Sequence, residues 1–332
     1  MDALVSVVMP VRNGGNWLAA AAYSILNQSH AALELIIVDD HSEDGAVGGL
    51  DTGDSRITVL SNAGKGVSAA FNTGMAAARG DFIARMDADD LALPGRIRDQ
   101  INYLAQHPQV DLCGGKVEIF SEHGLQGGNR RYQQWLNACL TPEDIARELF
   151  IESPIPNPTA FFRREALLKL EGYRNPSWPE DYDLFLRADA LGMKMGKPDE
   201  PVLRWREHGA RLTRTDKRYA LERFQAAKIH YLARYRLKPG LVPLIWGAGP
   251  TGSLTFDLLR KEGRDVSGFL EVHPRRIGGE KRGRPVWPID HLEKDRDSFV
   301  LAAVGAAGAR EEIRSYMNAL DRIEGEHYLF VA

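Results

Sequence analysis

Three carboxylates in four residues, Asp87, Asp89 and Asp90, follow a short apolar run that begins at Gly80. Phe82, Ile83 and Met86 suit a buried strand that runs out into charge. If the backbone stays extended past Met86, Asp87 and Asp89 project to one side, because strands repeat every two residues, and Asp90 points to the other. Two like charges this close repel unless a cation lies between them. Hard oxygen ligands favour Mg²⁺ or Mn²⁺, and such an ion usually completes its shell with phosphate oxygens. The same residues also read as a solvated acidic loop, with Asp90 capping a helix near Pro94.

The elements around this triplet alternate. Leu4 to Met9 is a nearly continuous β-branched run, as a parallel strand covered on both faces would be. An apolar helix pattern over Trp17 to Leu26 follows, and Leu33 to Val38 forms a second strand that ends at Asp39 and Asp40. A short strand at Ile57 to Leu60 and a helix over Gly64 to Arg79 lead into the Phe82 strand. This rhythm predicts a parallel α/β sheet with right-handed crossovers. Asp40 and the Asp87 triplet then collect at the carboxyl ends of strands, where open α/β sheets place ligands. Val110 to Phe120 reads as one strand, and Glu122 to Arg131, polar and glycine-rich, as a mobile loop. Prolines 154, 156 and 158 fix an extended path. Glu180-Asp181 stands ahead of an apolar helix that stops at Gly192.

The chain has 332 residues, 44% of them apolar and 26% charged, and a net charge of -3. These values describe an ordinary globular protein, and the absence of a basic excess argues against nucleic acid as a partner. No apolar run is long enough to span a membrane, and the amino-terminal run lacks the basic start of a signal peptide. Two cysteines, Cys113 and Cys139, make no disulfide framework or zinc site, which points to a reducing cytoplasm. Peripheral association with the inner face of the membrane stays open.

Residues 1–215 resemble the family 2 glycosyltransferases, inverting enzymes of the GT-A fold that use nucleotide-activated sugars. The resemblance rests on Val5-Ser-Val-Val-Met-Pro10 with Asn13-Gly14, Ile36-Ile-Val-Asp-Asp40 with Ser42 and Asp44, Asn72-Thr-Gly74 with Ala78-Arg-Gly80, Met86-Asp-Ala-Asp-Asp90, and Glu180-Asp181. It implies that Pro10, Arg12 and Asp40 line the nucleobase pocket, that Asp87 faces the ribose or the metal shell, and that Asp89 binds the metal. Lys65 and Arg79 would support the phosphates. Asp181 would be the general base, taking the acceptor hydroxyl's proton, and Glu180 would orient it. Asp40 equally suits a turn, and Asp181 a helix cap. His208 would be a further metal ligand and Arg206 and Arg211 further phosphate clamps, although a surface histidine in a basic segment fits as well. The acceptor would enter between Asn157, Trp178 and the Glu122 to Arg131 loop; Trp178 also reads as core.

Residues 216–239 read as a helical linker, and 240–332 as a separate small α/β domain. There Gly247-Ala-Gly-Pro-Thr-Gly252 follows a strand and opens a helix, with Glu271 nineteen residues beyond Gly252. This arrangement resembles the Rossmann-like nucleotide-binding domains of sugar-modifying proteins, which implies that Gly247, Gly249, Gly252 and Glu271 meet a nucleotide. The leading expectation is a metal-assisted transferase moving a sugar from a nucleoside-diphosphate sugar, UDP-linked by preference, to a carbohydrate or lipid-linked acceptor in surface polysaccharide assembly. The rivals are an NAD(P)-dependent oxidoreductase and a non-catalytic sugar-nucleotide binding protein.

Overall fold

The computed structural model describes residues 3–122, 124–125 and 127–332. The chain divides into two compact units, Met1–Ile145 with Pro154–Lys217, and Ala146–Ser153 with Arg218–Ala332. Much of the segment read as a linker groups with the second unit. Its helix Leu221–Tyr231 packs on the helix Pro250–Lys261, and Lys228 Nζ donates to the Ile151 carbonyl at 2.7 Å.

The strands of the first unit, in chain order, are β1 (Val5–Val11), β2 (Leu33–Asp39), β3 (Ile57–Ser61), β4 (Phe82–Arg85), β5 (Leu91–Ala92), β6 (Leu112–Cys113), β7 (Lys116–Phe120), β8 (Phe161–Arg163), β9 (Met195–Gly196) and β10 (Pro201–Arg206). Seven of them form one sheet in the order β3-β2-β1-β4-β8-β6-β9, parallel from β3 to β4 and reversed at β8. The β-branched run of β1 is buried along nearly its whole length, as covered parallel strands require. Helix Val67–Ala77 lies close against this sheet at Gly74, where a Cβ would come within 2.4 Å of Val8. At Gly80 the atoms met are backbone, which cannot give way: a Cβ there would meet the Ser6 nitrogen at 2.6 Å and the Leu4 oxygen at 2.7 Å.

The strand expected over Val110 to Phe120 is two strands in two sheets. β6 belongs to the large sheet, and β7 to a second one ordered β5-β10-β7. The crossing occurs at Gly114-Gly115, where a Cβ would come within 2.7 Å of Ile155 and 2.1 Å of Val202. The loop expected over Glu122 to Arg131 also differs. His123 and Gln126 lie outside the described residues, but a helix runs over Gly127–Ala138. Its amide side chains hold the edge of β7. Asn137 both accepts from the Val117 nitrogen (3.0 Å) and donates to the Val117 oxygen (2.9 Å), and Gln133 accepts from the Ile119 nitrogen (2.7 Å). A side chain thus satisfies backbone groups that a neighbouring strand would otherwise pair.

The second unit contains β11 (Leu244–Trp246), β12 (Gly268–Glu271), β13 (Glu280–Lys281), β14 (Arg284–Pro288), β15 (Val300–Ala302) and β16 (Tyr328–Phe330), ordered β13-β14-β12-β11-β15-β16. Every pairing from β14 to β16 is parallel. Its core gathers Trp246, Leu270, Val300, Met317 and Phe330. Among the described residues no helix is long and apolar enough to cross a membrane.

Candidate active site

The loops that leave β1 and β2 are stapled to each other. Asn13 and His41 adopt left-handed backbone (φ 54° and 59°), a cost that such residues accept where hydrogen bonds fix the turn. The Asn13 nitrogen donates to Ser42 Oγ at 2.9 Å, Asn13 Oδ1 accepts from the Glu43 nitrogen at 2.9 Å, and the Gly15 nitrogen donates to Asp44 at 2.8 Å. Pro10 and Arg12 belong to this stapled pair of strand ends, half-buried and exposed respectively. Asp40 is buried beside them, accepting from Asn62 Nδ2 at 2.6 Å and from the Gly66 nitrogen at 3.0 Å. Lys65, exposed, stands in that same loop.

β4 ends at Arg85, and the chain then turns, the Asp90 nitrogen donating to the Asp87 oxygen at 3.4 Å. Alternation therefore stops before the acidic residues, and the expected divergence of Asp90 from Asp87 and Asp89 is corrected. All three carboxylates offer oxygens within 4.8 Å of one another. Asp90 is buried; its Oδ1 accepts from the Arg206 nitrogen at 2.8 Å, while Oδ2 has no hydrogen-bond partner among the described residues. Burial and the charges of Asp89 and Asp87 drive its carboxyl well above the usual range. Nor does Asp90 cap a helix: the one that follows, Arg96–Gln106, begins after Gly95 without a side-chain cap. Hard oxygen donors at this spacing, one of them buried and unsatisfied, fit a divalent cation.

His208 Nε2 lies 2.8 Å from Asp89 Oδ2, and its ring sits 4.5 Å from that of Trp17. This contact makes His208 a partner of Asp89; it is not in the converging acidic group. Arg206 is drawn inward. Its Nε donates to the Asp89 oxygen (2.7 Å), its Nη1 to Glu122 (2.7 Å), and its guanidinium stacks over Trp17 and Phe120. Arg211 pairs with Glu207 at 3.0 Å and lies over Trp205. Both arginines are thus held by protein groups.

Arg79 is in the wrong place for a phosphate ligand. It pairs with Glu34 at 2.6 Å, and Glu34 in turn accepts from Ser6 Oγ at 2.6 Å. Ser6 and Glu34 are the second residues of their strands and share a register, so Arg79 lies at the amino end of the sheet, opposite the acidic triplet.

Asp181 opens the helix Glu180–Ala190, half-buried, its Oδ1 accepting from the Tyr182 nitrogen at 2.7 Å. Burial, then the adjacent Glu180 carboxylate and, more weakly, Asp87, push its carboxyl up to about 7, against the pull of Arg85. Asp87, alone of the triplet, thus acts on Asp181, and weakly. Trp178 donates from Nε1 to Asp183 (2.9 Å), which pairs with Arg187 at 2.9 Å in a buried bridge. Asn157 is buried and accepts from the Tyr173 hydroxyl at 2.5 Å.

Two buried cations went unread in the sequence. Arg85 pairs with Asp87 at 3.0 Å and lies 5.1 Å from the Tyr173 ring centre and 5.7 Å from that of Phe71. Arg96, fully buried, donates to the Arg85 oxygen at 2.6 Å; burial lowers its pKa to about 10, which leaves it charged at neutral pH. The signal available was an arginine two residues before an aspartate inside an apolar strand, since a buried arginine needs such a partner. Together the two guanidiniums offset the acidic turn from beneath.

Comparison with known proteins agrees with this geometry. The family described as Glycosyl transferase family 2 matches residues 6–170. The putative glycosyltransferase EpsE of Bacillus subtilis is 31% identical over 287 residues, spanning 84% of this chain and 96% of the relative. An Escherichia coli relative, UDP-Glc:alpha-D-GlcNAc-diphosphoundecaprenol beta-1,3-glucosyltransferase WfgD, is 34% identical over 128 residues, 38% of this chain and 50% of its own length. The crystal structure of S. aureus TarS 1-349 with UDP-GlcNAc aligns with a TM-score of 0.57 at 15% identity, covering 78% of this chain and 71% of that one. Fold and site define a sugar-transferring enzyme of the GT-A class. The chain belongs to glycosyl transferase family 2, whose members invert the configuration of the sugar they transfer. This membership sets aside the oxidoreductase reading.

Proposed function

We propose that Asp181 is the general base of an inverting transfer from a UDP-sugar to a hydroxyl of a carbohydrate or lipid-linked acceptor. What supports this reading is a carboxylate set at the start of the helix Glu180–Ala190 beside Glu180, and raised toward neutrality by burial and the charges of Glu180 and, more weakly, Asp87. Asp181 removes the acceptor's proton while that oxygen bonds to the anomeric carbon. The bond from that carbon to the diphosphate breaks on the opposite face, and its electron pair leaves with the diphosphate. Asp89, with Asp87 and Asp90, would hold Mn²⁺ or Mg²⁺, which supplies positive charge against the departing diphosphate.

Asp40, buried at the end of β2, and Pro10 and Arg12 beside it are the base-binding candidates, and Lys65 a phosphate contact. Glu180, Trp178 and Asn157 line the acceptor's approach in this reading, with Tyr173 fixing Asn157. The UDP preference draws on the donor in the name of the Escherichia coli relative. A cytoplasmic reaction, close to the inner membrane face when the acceptor carries a lipid, accompanies it. The test is a panel of nucleotide sugars with Mn²⁺, scored for nucleotide release. UDP-sugars are expected to turn over, and Asp181→Asn to lose about 10²–10⁴-fold in rate. Full turnover by that variant refutes the assignment.

A further inference from the structure

We infer that the second unit holds its own nucleotide site, one that takes a single nucleoside diphosphate and is independent of the transfer site. β11 lies between β12 and β15, so the chain leaves it first toward one side and later toward the other. In open α/β sheets the loops part at such a point and a crevice opens beyond the strand ends. Here a cavity of about 450 Å³ opens there, lined by Trp246, Tyr316, Ile289, Val304, Glu271 and Arg276 together with the glycine turn.

Each part of the lining suits one part of a nucleotide. The turn must be glycine: Gly247 has φ +110°, and a Cβ on Gly252 would come within 1.8 Å of the Gly247 oxygen. That close approach lets the chain enter the helix Pro250–Lys261 directly at the cavity, where Gly249, Pro250 and Thr251 are among the lining residues. The opening amides of a helix have no partners within it and favour an anion, here a diphosphate. Glu271 ends β12 with its carboxylate fixed: Oε1 accepts from the nitrogens of Val272 (2.9 Å) and His273 (3.1 Å), and Oε2 pairs with Arg276 at 3.0 Å. A carboxylate offers about four acceptor positions, so capacity remains for a ribose hydroxyl. Tyr316, set edge-on to Trp246 at 5.5 Å, gives a flat base an aromatic wall with Ile289 and Val304.

Size and topology select one nucleotide over a dinucleotide. The cavity is at the small end of the roughly 300–1,000 Å³ typical of ligand sites. Beyond β11 on the β15 side the described sheet continues only to β16, without the second three-stranded half along which a dinucleotide extends. The ligand class is also the one that the transfer reaction releases.

Equilibrium dialysis of labelled UDP, GDP and ADP against the full chain with Mn²⁺ tests this. The wild type is expected to bind two equivalents of at least one of them, and Gly249→Asp to bind one fewer. That aspartate fits the fold, because Gly249 has φ -80° and a Cβ there meets nothing nearer than Arg276 Nη1 at 3.9 Å, yet it sets a negative charge at the phosphate position. Glu271→Gln, which keeps an acceptor for the backbone amides, is expected to weaken the same equivalent about 10-fold. The inference is overturned if neither substitution removes or weakens an equivalent of any of the three nucleotides, or if NAD(H) displaces the equivalent that they alter.

Discussion

Replacing Asp181 by asparagine should stabilise the protein while disabling it, and the size of the gain follows from the carboxyl's surroundings. Its pKa stands at about 7 in the fold against an ordinary value of 3.8. The folded chain therefore holds a proton that the unfolded chain releases, and ionising Asp181 in place costs stability as pH rises through this window. At about 1.4 kcal/mol per tenfold change the upper limit is roughly 4 kcal/mol. Asp181 is only half-buried and shares the effect with Glu180, so about 1–2 kcal/mol is expected after solvent screening. Asparagine keeps the acceptor for the Tyr182 amide and carries no charge. In EDTA at pH 8, calorimetry should show a transition raised by about 3–6 °C. The gain should shrink as pH falls toward 4, where wild-type Asp181 is protonated in the folded chain and about half protonated in the unfolded one. A variant that melts below the wild type at pH 8, or whose gain is the same at pH 4 and pH 8, refutes the reasoning.

Asp89→Asn removes the carboxylate that His208 contacts and should lower turnover about 10²–10³-fold, with the loss read from an Mn²⁺ titration of the rate. Arg85→Met leaves Asp87 without its guanidinium and opens the ring pair Phe71 and Tyr173; because Asp87 is partly solvated, about 1–3 kcal/mol of stability should be lost, and Mn²⁺ should recover part of it in a melting experiment. Cys113 and Cys139 are buried, and burial drives the Cys113 thiol above its ordinary range. Ellman's reagent should leave both unmodified within minutes in the native chain and label both after denaturation.

The strand and helix rhythm of the first unit could be read from periodicity because β1, β2 and β4 are covered on both faces, which forces continuous apolar runs. The acidic triplet stood out for the same reason: it interrupts such a run. What escaped the reading depends on partners distant in the chain. Asp90 turns toward Asp87 because the strand stops at Arg85, and no local pattern announces where extension ends. The helix over 127–138 is glycine-rich and polar at its start, and it stands on β7 through Asn137 and Gln133, contacts that lie 20 and 14 residues away in sequence. The resemblance implies a phosphate role for Arg79, but the sequence does not tell which end of the sheet it serves, and its pairing with Glu34 sets it at the amino end. Arginine is usually solvated, so nothing in the sequence singles out Arg85 or Arg96, and only the packed structure shows that both are buried beside the carboxylates.

The amides of Asn137 and Gln133 carry one more consequence. β7 is the outer strand of its small sheet, and its free side would otherwise present a row of bare peptide groups to any passing chain. Closing that side with side chains keeps the protein from recruiting a foreign β-strand, so carbon-for-amide changes at these two positions would surface first as self-association at high concentration, before any change in chemistry.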